Sequence, residues 1–297
     1  MNATPELVQL TITSGLARVT LHRPGKLNSL TLDTLDQLIA AARTIRSNRS
    51  VRAVIIAGHD HNFTAGLDFG SALKTPGGIL GAFTPRPWRG TNTFQEACWA
   101  FRRLPVPVIA AVEGFCFGGG VQLAAAADYR FTTSDANWSV LESKWGLIPD
   151  MSGIYSLKQL LPIDVAKRLA MTGEILSGEE AVRLGLASEI SEDPIADAER
   201  LAAQIATRSP DAVAYAKRLF DETWDVGPRR TFCRERRRRR VVRWWTRSSA
   251  TARCGSWRSR RVQVPRHWVG AKWAGRGMRP AWDGACSARK CDWTCGE

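Results

Sequence analysis

The sequence predicts an α/β fold in which a sheet is covered by helices. Three observations carry that expectation. Two runs, VRAVIIAG at 51–58 and VPVIAAVEG at 106–114, are apolar almost without interruption, as strands covered on both faces are. Apolar residues recur at helical spacing in the segments between and after them. The two patterns alternate along the chain, which is the mark of α/β architecture.

Residues 7–13 and 16–22 (LVQLTIT, LARVTLH) read as strands around a tight turn at Ser14-Gly15. Such a pair runs antiparallel, so the sheet is mixed. Residues 31–47 place Leu32, Leu35, Leu38, Ile39 and Ala42 on one helical face, with Thr31 set to cap it. The apolar strand 51–58 follows. The Gly- and Pro-rich stretch 70–90 reads as a mobile loop, and 91–104 as a helix. Strand 106–114 ends at Gly114, and GGGVQLAAAAD at 118–128 reads as a glycine turn opening a helix. Short strands near 129–132 and 137–140 come next. Helices near 152–161, 163–171, 178–185, 194–207 and 210–224 complete the series. No repeat is visible in the residues.

The net charge of +14 does not belong to this body. Residues 1–226 hold 22 Lys and Arg against 24 Asp and Glu, whereas residues 227–297 hold 20 against 4. A basic whole-chain balance therefore says nothing about nucleic acid binding by the α/β part. Cysteine divides likewise, with Cys98 and Cys116 in the body and five in the tail. Two body cysteines make no disulfide framework, and a reducing compartment is expected. MNATPELVQL lacks the basic and apolar regions of a signal peptide, and the apolar stretch 106–127 is broken by Glu113, glycines and Gln122. A cytoplasmic protein without membrane association is the expectation.

GFCFGGGVQL is the first chemical signal. A glycine run that ends a strand and opens a helix brings backbone close to a ligand and offers free N–H donors. That arrangement suits an anion or a developing oxyanion, and equally it suits tight packing. It fits neither the dinucleotide fingerprint nor a P-loop. His59 and His61 flank Asp60, but no third ligand sits at suitable spacing, so a polar loop and no metal is expected. Trp88, Trp99 and Trp145 are placed either in an acyl pocket or in packing, and Cys116 in packing.

Four segments in order and register, HRPGKLNSLT (22–31), FTAGLD (63–68), PVIAAVEGFCFGGGVQLAAAAD (107–128) and ESKWGLIPDMSG (142–153), resemble the crotonase superfamily. The resemblance spans residues ~5–225, roughly three quarters of the chain. It implies a spiral core of repeated ββα units over residues 1–190, with a C-terminal helical region beginning at 191–225 and truncated or replaced beyond it. It implies an acyl-CoA thioester as substrate, with CoA entering as part of that substrate and no separate cofactor. It also implies assembly as a homotrimer or hexamer.

The resemblance further implies residue roles. The backbone N–H groups of Leu67 and Gly119 match the pair that polarises the thioester carbonyl. Lys26, Ala65, Asp68 and Gly118 match the region that holds CoA and substrate, although a solvated surface lysine is an equal reading of Lys26. Hydratases of the superfamily hold one water between two glutamates. Glu142 matches the second, but Gln122 stands at the first, and an amide orients water without exchanging a proton. Asp150, eight residues after Glu142, matches the aspartate of the dienoyl-CoA isomerase branch, in which a Glu and an Asp shuttle a proton along the acyl chain. That branch resembles this chain at Leu67 and Val121 as well, though it carries Asp where Gln122 stands. Asp150 also has a plain reading as the cap of the helix near Ser152. Three functions stay open: an isomerase or impaired hydratase, a non-catalytic acyl-CoA binder, and an RNA-binding protein resting on the tail alone.

The tail, 226–297, holds 18 Arg, 7 of 12 Trp and 5 of 7 Cys without apolar periodicity. Nucleic acid binding is one reading, from Arg interleaved with Trp. The favoured expectation is a shifted reading frame of a GC-rich gene, which yields this excess of Arg, Trp, Cys and Gly. Such a tail would weaken the trimer contact and uncover the site.

Overall fold

The computed structural model describes residues 5–68, 70, 81–85, 90–227, 231 and 234. Most of the 70–90 loop, Trp88 and nearly all of the tail lie outside the described residues. The chain opens with the strands β1 (Val8–Thr13) and β2 (Leu16–Leu21), paired antiparallel. Ser14 and Gly15 both take positive φ (51° and 83°), the turn that matches the twist of a hairpin. Helix α1 (Leu32–Ser47) follows, capped by the Thr31 hydroxyl, with Leu35, Leu38, Ile39, Ala42 and Ile45 buried.

Strand β3 (Ala53–Gly58) then runs parallel to β2. After helix α2 (Thr93–Arg102) come β4 (Val108–Val112), β5 (Phe115–Phe117) and helix α3 (Gly119–Ala125). Strands β6 (Tyr129–Thr132) and β7 (Asn137–Ser139) lead to a 3₁₀ helix, Leu141–Trp145. Helices α4 (Gly153–Leu160) and α5 (Ile163–Thr172), strand β8 (Leu176–Ser177), helix α6 (Gly178–Leu184) and strand β9 (Glu189–Ile190) follow. Helices α7 (Pro194–Ala206) and α8 (Pro210–Thr223) close the described part.

The strands form a six-stranded sheet, β1-β2-β3-β4-β6-β9, and a three-stranded one, β5-β7-β8. Their connection makes the repeated unit. β4 enters the large sheet, β5 the small one, and α3 follows; β6, β7 and the 3₁₀ helix repeat the path. The first unit is β3, the segment around Thr64 that bridges in parallel to Cys116, and α2. The fold is thus the ββα spiral expected from the resemblance. Of the small-sheet strands the pattern reading expects β7, near 137–140, and lacks β5 and β8, because strands of three and two residues carry no readable period.

Both faces of the large sheet are covered, which explains its apolar runs. Val54, Ile56, Val108, Ala110 and Val112 join the main core with α1, α2 and α3. Ala53, Ile55, Ala57, Ile109 and Ala111 join a second cluster with Ala198 and Ala202 of α7. Helix α8 is tied down by ion pairs rather than by burial: Lys217 meets Asp128 at 2.7 Å and Arg102 meets Asp221 at 2.8 Å. No helix of the described residues is long and apolar enough to cross a membrane.

Candidate active site

The parallel register fixes the centre of the site. Thr64 bridges Cys116, its N–H donating to Phe115 O at 2.7 Å, while Phe117 N–H donates to Thr64 O at 3.1 Å. Three residues further along each segment stand Leu67 and Gly119, at matching places in the two neighbouring segments. Leu30 donates to Gly66 O and accepts from Asp68 N–H, both at 2.8 Å, so this parallel bridge passes over the Leu67 N–H. Gly119 opens α3, where the N–H has no partner within the helix. Glycine is required at 66 for two reasons. Its φ is +88°, and a Cβ there would meet Phe117 O at 2.8 Å. On the other side a Cβ at Gly120 would meet Thr64 Cγ2 at 2.4 Å. The glycine run thus serves close approach of α3 to segment 64–66.

Glu142 reaches this centre because β7 runs parallel to β5. Gly118 N–H donates to Ser139 O at 2.9 Å, and the chain turns from β7 straight into the 3₁₀ helix. A Cβ on Gly118 would lie 3.4 Å from Glu142 Oε1, so the carboxylate sits beside the Gly118–Gly119 peptide. Glu142 is only 7% exposed. Burial pushes its carboxyl above the ordinary range, and the charge of Asp150 adds to this against hydrogen bonds from its own backbone and Gln122. Gln122 Nε2 donates to Glu142 Oε1 at 2.5 Å, and Gly153 N–H donates to Gln122 Oε1 at 2.9 Å.

Asp150 lies half-buried in the turn before α4, and burial raises its carboxyl as well. It is not the cap of that helix: Ser152 holds the cap position at φ 69°, and no side chain bonds the helix end. Cys98 of α2 is fully buried. Burial raises its thiol strongly, and the charges of Asp150 and Glu142 raise it further. Cys116 is fully buried with its thiol pushed well above its ordinary value, so it packs and does not react.

The residues matched to CoA binding separate into two kinds. Lys26 is exposed on the turn of the HRPGKLN segment. Asp68 pairs with Arg23 at 2.8 Å, and Arg23 also donates to the Ser29 hydroxyl at 2.6 Å. Ala65 N–H donates to Leu27 O at 2.9 Å, which binds that turn to the donor segment.

Asn28, which no motif reading singled out, organises this junction. It is 3% exposed, and its amide donates to His59 O at 2.8 Å and Asn62 O at 2.6 Å and accepts from Arg23 N–H at 3.0 Å. Its φ of 53° is one that Asn tolerates better than most residues. Asn28→Ala takes the side-chain partner from Asn62 O and Arg23 N–H, while His59 O keeps the Asn62 N–H at 3.3 Å, and a loss of about 2 kcal/mol is expected in urea unfolding. The sequence signal was the LN pair after a Gly-Lys turn, too short to stand out.

His59 lies 3.1 Å from Asp60, and His61 lies 2.9 Å from Glu113. No group of three His, Cys, Asp or Glu among the described residues is placed for a metal. Trp99 packs edge-on against Tyr155 at 5.1 Å with Arg102 over its ring, and Trp145 is 61% exposed.

Comparison with known proteins agrees with this geometry. The sequence model of the enoyl-CoA hydratase/isomerase family matches residues 11–239. Carnitinyl-CoA dehydratase of Salmonella paratyphi A is 33% identical over 232 residues, covering 74% of this chain and 82% of the relative. An enoyl-CoA hydratase structure from Polaromonas sp. JS666 superposes with a TM-score of 0.68 at 29% identity, covering 77% of this chain and 88% of that one. A candidate enoyl-CoA hydratase of Thermobifida fusca YX, solved in complex with CoA, gives 0.70 at 26% identity over 82% of this chain and 95% of that one.

Proposed function

The chain belongs to the enoyl-CoA hydratase/isomerase family, and from that premise we propose that it moves a proton, and with it a double bond, along an unsaturated fatty acyl-CoA. The observation that supports this reading is the buried Glu142 carboxylate beside the Gly118–Gly119 peptide, held by a neutral amide at 122 and near enough to Asp150 to feel its charge. The thioester oxygen accepts from both N–H groups, which lowers the pKa of the proton on the adjacent or vinylogous carbon. Glu142 takes that proton as the C–H electron pair passes into the enolate. Asp150 delivers a proton further along the chain, and the enolate collapses to the conjugated thioester. CoA takes part only as the handle of the substrate, held at the Lys26 turn.

The names of the relatives favour a second reading, addition of water to a 2-enoyl-CoA or its reverse. Product mass separates the two. Isomerisation leaves the mass of the thioester unchanged, whereas hydration adds one water. A product that carries water from a 2-enoyl-CoA, with no isomerised species, decides for hydration.

The same reading includes assembly of several copies. Trp145, Ile148, Ile163, Met171 and Ile175 each expose more than half of their surface, and α5 packs against the 3₁₀ helix that carries Trp145 and Glu142. Light scattering is expected to give a trimer or a multiple of it, and Ile163→Lys with Met171→Lys to shift the protein toward monomer. A monomeric parent chain removes this part of the proposal.

A further inference from the structure

Gln122 is 1% exposed and spends both ends of its amide inside the site. Gly153 N–H can only donate, so its 2.9 Å bond identifies the oxygen end of the amide and turns Nε2 toward Glu142 Oε1 at 2.5 Å. The amide is pressed on the first residue of α4, where a Cβ on Gly153 would meet Gln122 Oε1 at 2.4 Å. Glu142 Oε2 is buried and has no hydrogen-bond partner among the described residues. A buried carboxylate oxygen left without a partner is costly, and such groups concentrate at reacting centres.

We propose that Gln122 is the positioning residue of Glu142: by occupying Oε1 it leaves Oε2 as the oxygen that takes the substrate proton. The clamp needs a side chain that accepts on one end and donates on the other. An ionised carboxylate at 122 accepts from Gly153 but has nothing to donate to Glu142. A carboxylic acid satisfies both bonds. Besides Gln122, the titratable groups that face Glu142 are Asp150, from the turn before α4, and the Cys98 thiol of α2. Neither is placed by a hydrogen bond to fix one oxygen of Glu142.

The turnover part of this inference rests on the isomerase reading, but its first test does not. In the full chain labelled with ¹³C at the Glu side-chain carboxyls, Glu142 is identified by its absence from Glu142→Gln. Gln122→Met is expected to move the Glu142 titration to higher pH. It is also expected to lower kcat by about tenfold or more with KM near the parent's. Gln122→Glu is expected to keep near-parent kcat at acid pH, where the new carboxyl holds a proton, and to lose activity as that proton leaves. A Glu142 titration and kcat that do not move in Gln122→Met would overturn the proposal. If Gln122→Met does not fold, a Gln122→Glu pH profile that follows the parent's has the same force. Full activity in Glu142→Gln instead sinks the isomerase reading, and the carboxyl titration still decides the role of Gln122.

Discussion

Glu142→Gln is expected to lower kcat for double-bond migration by about 10²- to 10⁴-fold, the range of general acid–base catalysis, with little change in affinity for the thioester. Asp150→Asn is expected to fall in the same range, because each carboxylate handles one of the two proton transfers. The assay is the absorbance of the conjugated dienoyl-CoA, and full activity in both variants would remove Glu142 and Asp150 from the chemistry. The pH dependence has a definite sign. Burial raises both carboxyls from ordinary values of 4.5 and 3.8, so the acidic limb of kcat/KM, set by the base Glu142, lies above the range of a free glutamate, and activity falls again at higher pH as Asp150 loses the proton it delivers. Stability runs the other way. Between the unfolded and folded pKa values the native chain binds more protons than the unfolded one, so stability falls as pH rises through that window. Above it the buried charge remains as a constant penalty. Glu142→Gln removes one such penalty, and its Tm at pH 8 is expected to equal or exceed that of the parent. A Tm well below the parent's would mean that ionised Glu142 supports the fold.

Gly66→Ala is the second large effect expected. A methyl group at 66 strains a φ of +88° and drives into Phe117 O, so on the proposed function it displaces the Leu67 N–H that would hold the thioester oxygen. Loss of one oxyanion donor of this kind lowers kcat by about 10²- to 10³-fold. Strain alone costs roughly 1–2 kcal/mol of stability. Gly185→Ala supplies the control, with the same φ of +89° but only Leu160 O near its Cβ position, at 3.3 Å, away from the donors. Both variants are expected to lose stability, and only Gly66→Ala to lose turnover. Equal kcat losses in the two would show that strain, not donor placement, governs the rate.

Strands and helices with a long period were legible from the residues. The apolar runs at 51–58 and 106–114 fall on β3 and β4, and the α1 face buries Leu35, Leu38 and Ile39 as its spacing predicts. The small sheet was legible only at β7, near 137–140; β5 and β8 have three and two residues and gain their identity from partners far along the chain. The site shows the same division. The candidate residues Leu67, Gly119, Glu142 and Asp150 come from ordered motifs. The clamp between Gln122 and Gly153 was not, since nothing local reveals which end of an amide faces a helix 31 residues away. Asn28 and Cys98 were missed for the same reason: their roles come from tertiary contacts that leave no pattern at short range.

The most direct measurement is turnover of a panel of 2-enoyl-, 3-enoyl- and 3,5-dienoyl-CoA by the purified full chain, read by absorbance and product mass. Migration of the double bond in a 3-enoyl- or 3,5-dienoyl-CoA, lost in Glu142→Gln, with no water added to the 2-enoyl thioester, is the result expected. Rapid addition of water to 2-enoyl-CoA without any isomerised product would contradict it, and would place Gln122 in a hydration site instead.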